Sequence, residues 1–376
     1  MTEMEIKGTI LYIGGFELPD KNAAAQRVLS NAKLFRLVGY ETIFVGVSKE
    51  IAYNSSVCTT QFEYEGFSMF SVPYPHNPVQ WMKYLTDESE LIKLSQSIKN
   101  LKAIICYNFP AIVLEKIRKY CIKIKIQCVA DVTEWYSVSG RSFPIKLAKG
   151  LDTFFRMRVV QKKIDTLIVI SRYLERYYKK NKNVIYLPPL TDFNGINDQR
   201  CVKNHTDGLK LVYAGSPGLK DRINLLIEAL AMVNRKVHLD IIGISESDYL
   251  KLYPEHKNKG LLSSNIVFHG RLSHKETVDY IKKADFSCFF RYDDRVTKAG
   301  FPTKFSEAIS LGVPILTNRS SNIDEYVRMG MNGILVKDLN VDEIRKTIET
   351  IEFNICVDIG TFNYHRYIGE AKKILK

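Results

Sequence analysis

No apolar run in this chain approaches the roughly 20 residues needed to cross a bilayer, so a membrane-spanning protein is not expected. The opening Met1-Thr2-Glu3-Met4-Glu5 has neither the basic nor the apolar segment of a secretory signal, and the cytosol is the expected compartment. Seven cysteines stand singly at positions 58, 106, 121, 128, 201, 288 and 356, with no C-x-x-C pair. An odd, scattered set is neither a zinc site nor a disulfide framework. Cys106, Cys128 and Cys288 fall in strand-like runs and read as small core residues. Short-period repeats and low-complexity segments are absent as well. So is any recognisable nucleic-acid module, which makes nucleic acid the weakest candidate partner for a basic chain.

What is present is a soluble-type composition over 376 residues with a net charge of +13. That length exceeds one core and suggests two domains. The charge speaks to partners rather than to fold. A phosphorylated substrate and a membrane surface remain as partners.

The apolar pattern alternates between strand-like and helical runs. Thr9–Ile13 predicts a strand ending in Gly14-Gly15, Ala23–Val38 a helix with Gly39 after it, and Thr42–Val47 a strand. This βαβ opening implies a parallel sheet. Strands are expected at Ala103–Cys106, Ile124–Val129 (ending at Asp131), Thr166–Ile170 and Val184–Leu187. Helices are expected at Ala111–Lys119 and at Arg172–Lys180, the latter capped by Ser171. A polar, turn-rich stretch after Leu190 reads as a linker. A second alternation follows, with strands at Leu209–Ala214, Val237–Ile242, Ile266–Phe268, Phe286–Phe290 and Ile315–Thr317. Helices at Lys220–Val233 and Lys275–Lys283, a short one opened by the Gly300-Phe301-Pro302-Thr303 turn and closed by Leu311-Gly312, and another through Tyr326 separate them. The expected class is α/β, two Rossmann-like doubly wound domains facing one another.

In such sheets ligands sit beyond the carboxyl ends of strands. Three loops of the second half are equipped for this. Gly215-Ser216-Pro217-Gly218-Leu219-Lys220-Asp221-Arg222 offers close backbone approach and two cations for phosphate. Phe268 to Ser273, with Arg271 and Leu272, could hold a nucleobase edge. Gly300-Phe301-Pro302-Thr303-Lys304 opens a helix, whose amides favour an anion by about 0.3–1 kcal/mol at exposed sites. Glu307 beside a phosphate makes sense if it accepts hydrogen bonds from two ribose hydroxyls. The alternative is an ordinary acid complementing the helix N-terminus.

These motifs resemble a GT-B-fold glycosyltransferase of the large retaining family four, especially its bacterial polysaccharide-building members. Gly14-Gly15 is similar to the family's N-terminal sugar-facing loop, Val169 to Leu174 to its late N-domain signature, and Leu187-Pro188-Pro189 to its pre-linker turn. Gly215 to Leu226 resembles the pyrophosphate loop, and Gly300 to Ala308 with Leu311-Gly312-Val313-Pro314 the donor signature. The resemblance implies an acceptor-binding domain over 1–190, a linker over 191–208 and a nucleotide-sugar domain over 209–355. A C-terminal helix over 356–376 would cross back onto the first domain. Donor contacts are expected at Gly14, Gly15, Gly215, Ser216, Lys220, Arg222, Arg271, Leu272, Gly300, Phe301, Thr303, Lys304 and Glu307. Lys220 would also serve the chemistry. No cofactor or metal is expected.

Two departures stand out. The signature carries two glutamates; Glu307 fills the second position, but Ala299 stands at the first. The sugar contact must then come from Lys298, Asp293 or Asp294, or be absent. The arginine that follows the glycine of the pyrophosphate loop is Ser216 here. Asp293-Asp294 reads as a loop rather than a metal pair.

Asp131 to Tyr136 follows a strand with two carboxylates and two aromatics, a composition that suits a sugar acceptor. Asp131 and Glu134 are the candidate catalytic carboxylates, Asp131 the stronger because it sits at the strand end. Surface acids over packed aromatics are the alternative. Between Arg141 and Lys163, basic residues interleave with Phe143, Leu147, Leu151, Phe154 and Phe155. That suits an anionic membrane surface, or a solvated face over a core stripe. The expected function is transfer of a sugar from a nucleotide diphosphate donor, UDP-sugar favoured, to a lipid-linked or glycan acceptor. A non-catalytic GT-B subunit is the rival reading, motivated by Ala299 and Ser216.

Overall fold

The structure is a computed structural model that describes residues 5–19, 21–53, 61–136, 143–193, 199–203, 208–217 and 220–375. The chain divides into two compact units: Met1–Leu190 with Tyr364–Lys376, and Thr191–Asn363.

The first unit is built on eight strands: β1 (Gly8–Gly14), β2 (Tyr40–Ser48), β3 (Phe62–Tyr64), β4 (Phe67–Pro73), β5 (Leu101–Tyr107), β6 (Gln127–Val132), β7 (Thr166–Val169) and β8 (Asn183–Tyr186). Their order is β3-β4-β2-β1-β5-β6-β7-β8, parallel except for β3, which runs antiparallel to β4. β1 and β5 lie centrally, which is why Ile10–Ile13 and Ala103–Cys106 are continuous apolar runs, buried throughout. The crossover helix Ala23–Arg36 starts at Asn22, whose side chain accepts from the Ala25 amide at 2.9 Å. It buries Ala25, Val28, Leu29, Ala32 and Phe35 against Tyr12 and Phe44. Gly39 turns the chain at φ 91°, a conformation that favours glycine.

The segment 62–97 adds β3, β4 and the helices Pro78–Thr86 and Ser89–Ser97. The first of these helices buries no residue, so the apolar periodicity that betrays a helix is missing. The C-terminal helix Ile368–Ile374 returns to this unit, burying Ala371, Ile374 and Leu375 in its core. Gln127 Nε2 and Asn183 Nδ2 each donate at 2.8 Å to its last-turn carbonyls, of Ile374 and Lys373. The return begins at Tyr364, later than the expected 356.

The second unit contains β9 (Gln199–Lys203), β10 (Leu209–Ala214), β11 (Val237–Ile242), β12 (Ile266–Gly270), β13 (Phe286–Phe289), β14 (Ile315–Asn318), β15 (Gly333–Val336) and β16 (Asn354–Asp358). Six of them form a parallel sheet in the order β12-β11-β10-β13-β14-β15. Counted from β10 this is the 3-2-1-4-5-6 order, with the topological switch point between β10 and β13.

β9 and β16 pair antiparallel, so the expected linker 191–208 contains a strand of this unit. Cys201 and Cys356 face each other in that ladder and form a disulfide, which corrects the expectation of cysteines without pairing. The two are 155 residues apart, and only strand pairing brings them opposite. Cys106, Cys121 and Cys288 are buried free thiols. Among the described residues, no helix is long and apolar enough to cross a membrane.

Candidate functional site

The loops at the switch point of the second sheet are drawn together by backbone contacts. Gly215 ends β10 at φ 132°, its amide donating to Ile242 O at 2.9 Å. Gly243, at the end of β11, donates to Gly270 O at 2.6 Å, and Gly270 donates to Ile244 O at 3.2 Å. A Cβ on Gly243 would stand 2.4 Å from the Gly215 carbonyl oxygen, at a φ of 108°. Only glycine allows the two loops to approach so closely.

Beneath the Gly215 loop lies a cluster of charge. Asp221 is buried and accepts hydrogen bonds from Tyr213 Oη at 2.7 Å, from Arg291 Nε at 2.6 Å and from Lys304 Nζ. The three donors come from β10, from the loop after β13 and from the first turn of helix Thr303–Ser310. The Lys304 ammonium lies 4.1 Å from the centre of the Tyr213 ring, and 3.3 Å from where a Cβ on Gly215 would be. Burial alone would raise the Asp221 carboxyl, but Lys304 and Arg291 outweigh it and hold the group well below the ordinary carboxylate range. Burial lowers the Lys304 ammonium to about 8 against the pull of Asp221, and Arg291 works in the same direction as burial. The Asp221 side chain is 5% exposed, against 11% for Lys304 and 15% for Arg291, so the cations form the outer rim of the cluster.

Helix Thr303–Ser310 begins after Pro302 with no side-chain cap; the Phe305 amide donates to Pro302 O at 3.0 Å, leaving those of Thr303 and Lys304 for another acceptor. Glu307 is half-buried, with Oε1 3.7 Å from His274 Nδ1, which joins this helix to the loop carrying Arg271 and Leu272. Burial raises the Glu307 carboxyl, opposed by His274 and Lys304. Arg271 is exposed and Leu272 half-buried.

Other expected contacts are placed differently. Phe301 is buried, its ring 5.7–5.9 Å from those of Phe305, Tyr326 and Phe362, so its side chain is a packing element and not a donor contact. The Gly300 carbonyl accepts from Ser321 Oγ at 2.5 Å. Ser216 and Lys220 are exposed at the loop surface, and Arg222 lies 4.7 Å over the Tyr292 ring. The buried lysine of the site is therefore Lys304, not Lys220. Ala299 is fully buried. Asp294 caps helix Arg295–Ala299 with Thr297, and Asp293 pairs with Lys298 at 3.0 Å, so each of these substitutes for the first glutamate already has a partner. Among the described residues no group of three or more His, Cys, Asp or Glu side chains could hold a metal ion. Sequence reasoning missed Asp221 as an ion-pair partner and Arg291 altogether; the signal was a carboxylate set between Lys220 and Arg222 in a loop read as phosphate-binding.

In the first unit, Asp131 does not serve as an open carboxylate. It is 0% exposed and accepts from Arg27 Nη2 at 2.8 Å, Arg27 Nε at 3.1 Å and Tyr12 Oη at 2.5 Å. Arg27 also donates to the carbonyls of Leu187 and Pro188, tying the pre-linker turn to the core. The strand-end position that recommended Asp131 as a base places it inside, because β6 is flanked by β5 and β7. Glu134 is half-buried, while Trp135 stands edge-on to Tyr177 at 5.2 Å and Tyr136 lies 4.5 Å beneath Arg156.

Gly14 is required by packing, since a Cβ there would be 2.7 Å from that of Tyr107; Gly15 is exposed. A cavity of about 110 Å³ opens at this strand end, lined by Gly14, Tyr53, Lys83, Tyr84, Glu90 and Phe109 among others. Its strand residues come from the carboxyl-end halves of β1, β2 and β4, and Phe109, two residues past β5, borders it.

Both units thus define a doubly wound α/β protein with ligand-type loops at its switch points, the second equipped with cations. Residues 197–355 match the model of glycosyl transferases group 1. An uncharacterized glycosyltransferase of Methanocaldococcus jannaschii is 23% identical over 242 residues, 58% of this chain and 60% of that protein. The chain thus matches less than two thirds of this relative's length. Sucrose-phosphate synthase from Thermosynechococcus elongatus superimposes with a TM-score of 0.69 at 12% identity, over 98% of this chain and 95% of that one. Anabaena HepE in complex with UDP and glucose gives 0.58 at 14% identity, over 98% and 96%. The chain therefore has the GT-B fold, and residues 197–355 within it are similar to glycosyl transferases group 1.

Proposed function

We propose that this protein is a retaining glycosyltransferase of the family-four type, moving a sugar from a nucleoside diphosphate donor, UDP favoured, to a lipid-linked or glycan acceptor. The observation that carries the proposal is the cation pair Lys304–Arg291 beneath the Gly215 loop, beside an uncapped helix start. Departure of a nucleoside diphosphate builds negative charge on the β-phosphate, and preoriented cations and amides stabilise it without a metal. Gly215 and Ser216 bring backbone to the phosphates, Thr303 and Lys304 supply amides, and Lys220 and Arg222 add charge from the loop surface. Glu307 takes the ribose hydroxyls, and Arg271 and Leu272 flank the base. UDP is favoured because HepE, a neighbour of the same fold, is seen with UDP. The acceptor meets the first unit, with Glu134 the accessible carboxylate in place of Asp131 and the cavity at Gly14 receiving a sugar. Calorimetric titration with UDP and with GDP tests the reading. Micromolar to millimolar binding of one of them is expected, and absence of both at millimolar concentration sinks it in favour of a non-catalytic GT-B subunit.

We also propose that the protein works at the inner, cytoplasmic surface of a membrane. Helix Phe143–Phe155 and the π-turn Arg156–Val160 leave Leu147, Leu151, Phe154 and Phe155 about half exposed, bordered by exposed Lys146, Arg158, Lys162 and Lys163. Arg141 lies outside the described residues, as does the side chain of Phe143. Arg156 is buried against Asp152 and Tyr136 and takes no part. Each surface cation adds roughly 1 kcal/mol of attraction to anionic lipid. Neutralising Arg158, Lys162 and Lys163 together should abolish co-sedimentation with anionic vesicles. Retention by the triple variant would exclude this surface.

A further inference from the structure

Asp221 is a carboxylate in a loop that would hold a diphosphate, where a negative charge is out of place unless it has a task. Three donors from three elements converge on it, and one of its two cationic partners, Lys304, has its ammonium 3.3 Å from where a Cβ on Gly215 would be. Resting on the nucleotide-sugar reading above, we infer that Asp221 is a positioning residue: it gathers Lys304 and Arg291 beneath the Gly215 loop and keeps them charged and aimed for a nucleoside diphosphate.

The pairing supports this. Two cations share the one carboxylate that hydrogen-bonds them in a largely enclosed place, with Glu307 as a further acid facing Lys304, an arrangement that a one-to-one buried ion pair made for stability alone would not need. Among the described residues, the Arg291 side chain uses only Nε on Asp221, leaving both Nη groups for a further acceptor. Lys304 presents two N–H groups beyond the one it gives Asp221. Burial brings the Lys304 ammonium to about 8, and the neighbouring Arg291 adds a smaller push in the same direction. The groups facing its ammonium are Tyr213 on β10, Asp221 on the following loop, Arg291 after β13 and Glu307 on its own helix. Asp221 and Glu307 oppose the lowering, and Asp221 is the larger of the two.

Diphosphate binding should therefore weaken as pH rises through the Lys304 value, and Asp221 should set where that happens. The test is UDP binding by calorimetry on the full chain between about pH 7 and 10, where the terminal phosphate stays ionised, with uridine as the control lacking phosphate. For the wild type, UDP affinity should be level up to about pH 8 and then fall by up to tenfold per unit, while uridine shows no such break. Asp221→Asn should move the break to lower pH and weaken UDP about tenfold at pH 7.5. Lys304→Arg, a cation that does not titrate in this range, should remove the break, and it should do so in the Asp221→Asn background too. An unchanged break in Asp221→Asn, or one that persists in Lys304→Arg, overturns the inference while leaving nucleotide binding intact. Should Asp221→Asn not fold, the Lys304→Arg profile decides alone. Failure of the wild type to bind UDP or GDP overturns the functional reading and this inference together.

Discussion

Asp131 and Asp221 are near twins in different units. Each follows or ends a parallel strand, is buried, and takes an arginine and a tyrosine hydroxyl as partners: Arg27 and Tyr12 for the first, Arg291 and Tyr213 for the second. What differs is the remaining partner and the position of the cations. Around Asp131 the arginine is sealed in, bonded onward to backbone carbonyls, and Asn31 closes the network through Tyr12. Around Asp221 a lysine replaces the asparagine, and both cations stand at the outer edge. The same ion-pair chemistry is structural where its cations are enclosed and available to a ligand where they border a loop.

The largest expected effect breaks the comparison on the structural side. Asp131→Ala leaves Arg27 buried without its counter-ion and should cost about 3–5 kcal/mol, measured by urea unfolding. A variant of wild-type stability would mean that Arg27 finds water. Asp221→Ala should cost less, about 1–3 kcal/mol, because Lys304 and Arg291 are 11% and 15% exposed against 2% for Arg27. Equal losses for the two would erase the distinction drawn above. On the binding side, Glu307→Ala removes charge-assisted hydrogen bonds to the ribose. It should weaken UDP by about 10–100-fold with an unchanged unfolding midpoint; unaltered affinity would count against the ribose role. Gly243→Ala tests the backbone contact that seats the Gly215 loop above its cations. The added Cβ meets a carbonyl oxygen at 2.4 Å and the backbone keeps φ 108°, so a loss of about 1–3 kcal/mol is expected. Full stability in that variant would show that the loops can part cheaply.

Legibility followed burial pattern. Central strands such as Ile10–Ile13 and Leu209–Ala214 were readable because both faces are covered and the apolar run is unbroken. Ser171 was readable as a helix cap, and it accepts from the Leu174 amide three residues on. Edge and surface elements were not. The helix Pro78–Thr86 buries nothing, β9 hides within a polar stretch, and β16 shows its meaning only beside β9. In the site, the Gly300–Glu307 signature stood out, since a turn and a helix start leave local marks. Phe301 was misread there, because an aromatic in a ligand loop and an aromatic in a core look alike until Tyr326 and Phe362 are seen around it.

The chain by itself determined two alternating α/β stretches, the strand-end loops where a ligand would sit, the helix start at Thr303 and the basic segment before Lys163. These are local properties of periodicity, caps and charge, and they survive without knowledge of neighbours. Tertiary structure alone decided which charged residues are enclosed. Arg27 and Asp131 are 104 positions apart, Asp221 and Lys304 are 83 apart, and Cys201 and Cys356 are 155 apart. Whether a carboxylate is a base, a core ion pair or a support for two cations depends on partners that distant, because desolvation and Coulomb attraction act across space rather than along the chain.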